Sequence, residues 1–581
     1  MAGRPLSDTS DVFATPLHTP LHADNAPLEP PSASHLNPGQ SLTSTPRDSY
    51  GASASASPSP SNSTPFLVQQ RDKEDGSPAE VVAVKSEYAP THSRVPFYRK
   101  PWVWLAAAAA VVVIVLVVVL PVVLVANKKH SDSNTSGGSS SGAQDGGGSS
   151  SDPGKANGSP QSAAIITGGD GSTITMENGQ KFTYHNSFGG YWVDDPKDPF
   201  NNGARPNSWT PPLNQSWTWG KDRVYGVNIG GLFVLEPFIS PAMFQKYPGA
   251  IDEWSLSQAM AADTASGGLQ TQMEQHYDTF ITEQDIAEIA GAGLNWIRVP
   301  IPYWAIETWQ GEPFLAKVSW KYILRLFGWA RKYGLRIYLD LHTVPGSQNG
   351  YNHSGKQGQV NFMNGFMGLA NAQRTLDYIR IITEFISQSD YRDVVPVFGI
   401  VNEALVSTIG QDQMTNFYYQ AHQMIRGITG LGADHGPYIT VHDGFIGVSK
   451  WANFLPGSDR IILDTHPYFA FDGQPNTQPL VTDEGTGQPG GIWPKQACNS
   501  WGASINTSRS TFGVTVGGEF SNGYNDCGLF VNGVSNSHNY PGDCTVFTDW
   551  QNWNSTFKEG LKNYATASMD AIGDWYFWTW K

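Results

Sequence analysis

Cysteine is scarce in this chain: Cys498, Cys527 and Cys544 are the only three, and no two form a CxxC pair. The histidines show no metal-ligand spacing either, so neither a zinc site nor any other metal or cofactor is expected. Basic residues are also short. The 36 Lys and Arg are outnumbered by 51 Asp and Glu, a net charge of −15, which removes the positive surface a nucleic-acid partner requires. Residues 1–101 lack any sustained apolar period and are rich in Ser, Pro, Ala and Thr. Such a stretch buries too little surface to offset its chain entropy and is expected to be a disordered tail.

Charge of either sign is missing from 102–126. As a helix this run would cover roughly 37 Å, enough to cross a bilayer with some tilt. It starts too far into the chain to be a cleaved leader. It is apolar on every face, which speaks against a buried core helix, and Trp102 and Trp104 suit a membrane interface. Arg94, Arg99 and Lys100 precede the run while Lys128 and Lys129 follow it, a narrow bias towards a cytosolic N-terminus. Glycosylation sequons at Asn134, Asn157, Asn214, Asn506 and Asn554 all follow the run, although one at Asn62 precedes it. The expected topology is single-pass type II in the plasma membrane. Residues 127–168, Ser- and Gly-rich, would be a flexible stalk.

What is abundant lies in 169–581: Trp, Tyr, Phe and Gly, in a segment long enough to bury one large core. Short β-branched runs alternate there with amphipathic ones. Strands are expected at 224–229, 295–301, 336–341, 397–402, 438–442, 461–465, 513–519 and 575–580. Helices are expected at 283–292, opened by Thr282, at 320–333, closed by Gly334, and at 414–429. Eight strands with helical crossovers predict an α/β (β/α)8 barrel. A doubly wound open sheet is the alternative, but the glycines of 226–231 lack its phosphate-loop spacing.

In such a barrel, chemistry sits at the C-terminal ends of the strands. Two expected strands deliver a carboxylate there, Glu403 after Asn402 and Glu519 after Gly518. Two carboxylates in one cleft are what hydrolysis of a glycosidic bond needs. Arg298, His342, Asn402, His466, Tyr468 and Trp578 belong to the same rim. Glu403 fits the acid/base and Glu519 the nucleophile. Arg298 and Tyr468 would hold Glu519 ionised, Asn402 would hold a sugar hydroxyl, and Trp578 would offer an apolar face to the sugar ring.

These residues resemble glycoside hydrolase family five, in particular its fungal exo-β-1,3-glucanase group. The resemblance is carried by Val227-Asn-Ile-Gly-Gly-Leu-Phe-Val-Leu-Glu236-Pro, Asn295-Trp-Ile-Arg298-Val-Pro-Ile-Pro, Leu339-Asp-Leu-His342 with Pro345-Gly-Ser-Gln-Asn-Gly350, Asn402-Glu403, Gly518-Glu519-Phe-Ser and Phe577-Trp578-Thr-Trp-Lys581. It implies Glu403 as acid/base, Glu519 as nucleophile and Glu236 as a binder of the terminal glucose. It also implies release of glucose from β-1,3-glucan, no metal, and, with the span, likeness to a membrane-anchored subgroup facing the cell wall.

Where secreted members carry Phe-Asp-Asn, this chain has Tyr351-Asn352-His353 in the loop that lines the family's cleft, so Tyr351 joins the expected binding residues. The chain stops on the eighth strand, where relatives continue, so the barrel is expected to lack its last helix. Cys527 and Cys544 enclose a short loop after Glu519 and are expected to be bridged. The resemblance puts the partner of Cys498 in a C-terminal stretch absent here. The rival activities are a β-1,6- or β-1,4-glucanase and a glycolipid β-glucosidase. The rival of another class is an inactive wall-glucan-binding protein. A monomer is expected.

Overall fold

A computed structural model of the chain describes residues 164–471, 476–480 and 489–581. The tail, the apolar run 102–126 and most of the stalk lie outside them. Among the described residues no helix is long and apolar enough to cross a membrane.

Eight parallel strands close into a barrel: β1 Tyr225–Asn228, β2 Trp296–Ile301, β3 Arg336–Leu341, β4 Val397–Gly399, β5 Tyr438–His442, β6 Ile461–Thr465, β7 Thr515–Phe520 and β8 Trp575–Phe577. β8 returns to β1 through Trp575↔Tyr225. β2 and β3 are buried at all six positions, as expected of parallel strands covered on both faces. The cover comes from α1 Glu283–Gly291, α2 Val318–Tyr333, α3 Gly368–Ile386, α4 Gln411–Thr429, α5 Ala503–Thr511 and α6 Ser555–Ile572. A Thr282/Asp285 capping box opens α1, and Gly334, at φ 74, ends α2. Between β5 and β6 the described crossover carries only a 3-10 turn, Val448–Trp451.

Most boundaries shift by one to three residues, and three of the differences have structural consequences. β4 stops at Gly399, not Asn402, and Glu403 takes a left-handed backbone, φ 44. Neighbouring residues in an extended strand point to opposite faces, so this bend lets Asn402 and Glu403 both face the barrel mouth. It costs about 1 kcal/mol for a residue with a Cβ. β8 ends at Phe577, before Trp578. The folded part also begins ahead of residue 169. Ile166–Gly168 pairs with Gly189–Asp194, which pairs with Arg205–Asn207. Ile165, Ile166 and Thr167 are the first β-branched run after the stalk, and they suffice to start a strand.

Residues 208–219 seal the barrel's base. Trp217 and Trp219 pack on Trp296, and Trp219 on Tyr438. Arg336 donates to the carbonyls of Pro211, Pro212 and Gln215.

At the opposite end, long loops form the rim. The β1–α1 connection carries helix Glu253–Ala262, capped by Asp252. The other Asp252 oxygen accepts the amide of Gln357, in the loop after β3, at 2.7 Å. The next residue, Glu253, accepts the amide of Leu235, in the loop after β1, also at 2.7 Å. Cys527 and Cys544 are bonded in the loop after β7, and Cys498 is exposed and unpaired.

Candidate active site

Arg298 organises the barrel mouth. It is fully buried on β2. One guanidinium nitrogen donates to Glu519 Oε1 at 2.7 Å and to Asn228 Oδ1 at 3.0 Å. The other donates to Asn402 Oδ1 at 2.7 Å and lies 3.0 Å from Asp340 Oδ2. Burial works against the charge, but Asp340 and Glu519 outweigh it and hold Arg298 well above its usual range. Register alone places Asn228 beside Arg298.

Glu519 is held at both oxygens, by Arg298 at Oε1 and by the Tyr468 hydroxyl at Oε2, 2.9 Å away. Glu403 is held by His466, whose Nδ1 lies 2.6 Å from its Oε1. The same Nδ1 is 3.5 Å from Glu519 Oε2. Two carboxylate oxygens that both approach one nitrogen this closely cannot be separated by the ~6.5–9.5 Å of an inverting pair.

His466 stands among three carboxylates. Burial opposes its charge, but Glu519, Asp464 and Glu403 prevail and push it well above the usual histidine range. Burial likewise pushes Glu403 up, and His353 and His466 overcome this, holding it well below the usual carboxylate range. Each partner of the Glu403–His466 pair thus favours the charged form of the other. Asp464 is lowered to about 2, burial being outweighed by His466. It also accepts from Tyr338 at 2.7 Å and from the Gly518 amide at 2.6 Å. A Cβ at Gly518 would stand 2.2 Å from Asp464 Oδ2, so this contact requires glycine there.

Glu236 is buried beside this group. Burial, then Glu519 and Glu403, push its carboxyl well above the usual range, against the pull of Arg298. Among the described residues neither Glu236 Oε1 nor Asn402 Nδ2 has a hydrogen-bond partner. His342 pairs with Asp340 at 2.7 Å, and its ring stacks on Trp578 at 6.0 Å and 8°. Tyr351 is the outermost of the expected residues. It is 45 % exposed, with its ring 5.6 Å from His353 and 6.4 Å from Phe445.

The structure thus brings Glu236, Arg298, His342, Asn402, Glu403, His466, Tyr468, Glu519 and Trp578 to one rim, with Tyr351 at its edge. Sequence reasoning passed over Asn228, Asp340, His353, His442 and Asp464. Two of these had a signal. Asp340 and Asp464 each precede a rim histidine by two residues, the spacing that puts side chains on one face of a strand.

Glu403, His442 and His466 lie close enough together to hold an ion. Their donors do not suit one. His442 Nδ1 accepts the Gly444 amide at 3.0 Å, which leaves the hydrogen on Nε2. Both nitrogens of His466 face carboxylates. A separate hollow of about 510 Å³ inside the Cys527–Cys544 loop contains none of the rim groups.

Residues 258–513 match the family model Cellulase (glycosyl hydrolase family 5). A protein of Aspergillus clavatus named "Probable glucan 1,3-beta-glucosidase D" is 38% identical over 410 residues, covering 65% of this chain and 47% of its own length. Its namesake in Aspergillus terreus is 35% identical over 439 residues, covering 70% and 50%. That of Aspergillus niger is 36% identical over 423 residues, covering 68% and 48%. The chain spans about half the length of the curated relatives it matches. Together with the closed parallel barrel, the family-model match places residues 258–513 in glycosyl hydrolase family 5.

Proposed function

We propose that this protein is a retaining β-glucosidase that releases glucose from the ends of β-1,3-glucan. The observation that carries the reading is the single imidazole, His466, in reach of both rim carboxylates. Glu519, held by Arg298 and Tyr468, attacks the anomeric carbon. Glu403, anchored at Oε1 by His466, passes a proton from its Oε2 to the leaving oxygen, then takes one there from the water that hydrolyses the glucosyl ester. Asn402 Nδ2, whose oxygen is fixed by Arg298, donates to a sugar hydroxyl. Glu236, whose Oε1 has no partner among the described residues, binds hydroxyls of the terminal glucose. Trp578, fixed against His342, takes the ring's C–H face. The relatives' printed name supports the β-1,3 linkage.

The membrane assignment rests on sequence. The uncharged run 102–126 would anchor the chain, with the barrel outside, facing the wall, as a monomer. The sequon residues Asn214, Asn506 and Asn554 are exposed on the barrel domain, as an outward orientation needs.

The test is product analysis on laminarin with anomeric NMR. Glucose appearing first as the β-anomer supports the reading. Products of α-configuration, or cleavage only of β-1,6-glucan, β-1,4-glucan or glucosylated lipid, would replace it. Glucan binding without turnover would point to the wall-binding alternative.

A further inference from the structure

His353 occupies a place that the mechanism above leaves unexplained. It lies in the 3-10 turn Asn352–Ser354, in the loop after β3, with 18% of its side chain exposed. Its Nε2 is 3.3 Å from Glu403 Oε2. The other oxygen, Oε1, is taken by His466 at 2.6 Å. The two oxygens of one carboxyl thus face two different imidazoles. With Oε1 committed to His466, a proton bound for the leaving oxygen must travel on Oε2, the oxygen His353 faces.

The turn is braced. Ser354 Oγ bonds Ser347 Oγ at 2.6 Å and donates to the Tyr351 carbonyl at 2.7 Å. The Gly358 amide donates to the Gly350 carbonyl at 2.9 Å, and the Trp254 amide to the Gly355 carbonyl at 2.9 Å. Asp252 accepts the Gln357 amide. A side chain on so many supports is held at Glu403, not passing by it.

We propose that His353 is a positioning residue for the acid/base: it caps Oε2 of Glu403 and sets the pH at which that oxygen gives up its proton. This rests on Glu403 being the acid/base. Charged and titratable groups face Glu403 from several elements: His442 at the end of β5, His466 and Tyr468 after β6, Glu519 on β7, Glu236 in the loop after β1, and Tyr351 beside His353. All of these remain when His353 is replaced, so the replacement isolates one contact. A donor or cation beside a carboxyl favours its ionised form, and removing it raises the carboxyl's affinity for the proton. Burial lowers the proton affinity of His353 itself and Glu403 opposes this, so the two titrations are linked.

The experiment uses the full chain and two variants that carry no hydrogen-bond donor, His353→Leu and His353→Met, with circular dichroism to confirm folding. The first readout needs no substrate. In chains labelled with 13C at the glutamate carboxyl, the Glu403 resonance, assigned with Glu403→Gln, should titrate about one pH unit higher in both variants. The second readout is kcat/KM on phenyl β-glucoside, whose leaving group needs a proton. Its basic limb should move up by the same amount. With 2,4-dinitrophenyl β-glucoside, whose leaving group needs none, the limb should stay where it is. Folded variants with an unchanged Glu403 titration overturn the proposal. If the titration moves but no β-glucoside is cleaved even by the parent chain, His353 keeps its role and the glucosidase reading falls.

Discussion

Two buried arginines stand on neighbouring strands at opposite ends of the barrel. Arg336, at the base, donates to the neutral carbonyls of Pro211, Pro212 and Gln215 and lies over the Trp217 ring. Burial lowers its pKa to about 10. Arg298, at the mouth, meets Glu519 and Asp340, and is held well above its usual range although it is buried as deeply. The same side chain therefore does two jobs. Carbonyl acceptors tie a segment down without offering the cation a countercharge. Carboxylate partners keep a charge alive away from water, which is what a nucleophile needs.

The largest expected effects lie at the mouth. Glu519→Gln and Glu403→Gln should each lower kcat by about four orders of magnitude or more. Thermal midpoints should stay within a few degrees of the parent. Azide should restore turnover to Glu519→Ala. Gln variants with parent-like kcat would dissolve the contrast between the two ends.

The arginines themselves give the next comparison. Arg298→Met should abolish turnover in protein that still folds. Arg336→Met leaves three carbonyls without their donor, at about 1–3 kcal/mol each when buried. Urea unfolding should show that loss, while kcat per folded molecule stays the same. A fall in kcat for Arg336→Met would mean that base and mouth are not separable.

Replacing Cys527 and Cys544 with Ser tests whether the loop beside the nucleophile is a third region. The chain-entropy model gives about 3 kcal/mol for closing so short a loop. Comparing unfolding with and without reductant would measure it, with little change in kcat.

Glu253 should give the smallest effect. Burial raises its pKa from 4.5 to about 8. Its folded-state affinity for the proton exceeds the unfolded one. Its contribution is therefore full below pH 4.5 and is lost as pH rises through 8. Glu253→Gln should match the parent's thermal midpoint at pH 4 and exceed it by a few degrees near pH 8. Equal midpoints at both pH values would show that the carboxyl finds a second stabilising partner when ionised.

The barrel was legible because its strands are compact β-branched runs between turn residues, and His342 and His466 sit where two of those runs end. The supporting acids were not. Asp340 and Asp464 lie inside apolar strands, where a carboxylate reads as an interruption until the cation it serves is placed beside it. The three-residue strands at 166–168 and 205–207 are too short to show a period of two. The left-handed backbone at Glu403 has no local signature, and the Arg298 that holds its neighbour Asn402 is 104 residues away from it in sequence. The mutual support of Glu403 and His466 has none either, since the two follow different strands and meet only in the folded barrel. The β-1,3 linkage was read from resemblance, not from any residue's chemistry.

Asp252 and Glu253 are adjacent, yet each clasps a different loop: one takes the Gln357 amide and the other the Leu235 amide. Between them they yoke the segment carrying Glu236 to the segment carrying His353. A sugar that pulls on one will load the other mechanically, without any signal passing through the strands. Amide hydrogen exchange at Leu235 and Gln357 should therefore slow or quicken in step, and cutting either clasp should let the two halves of the rim breathe independently.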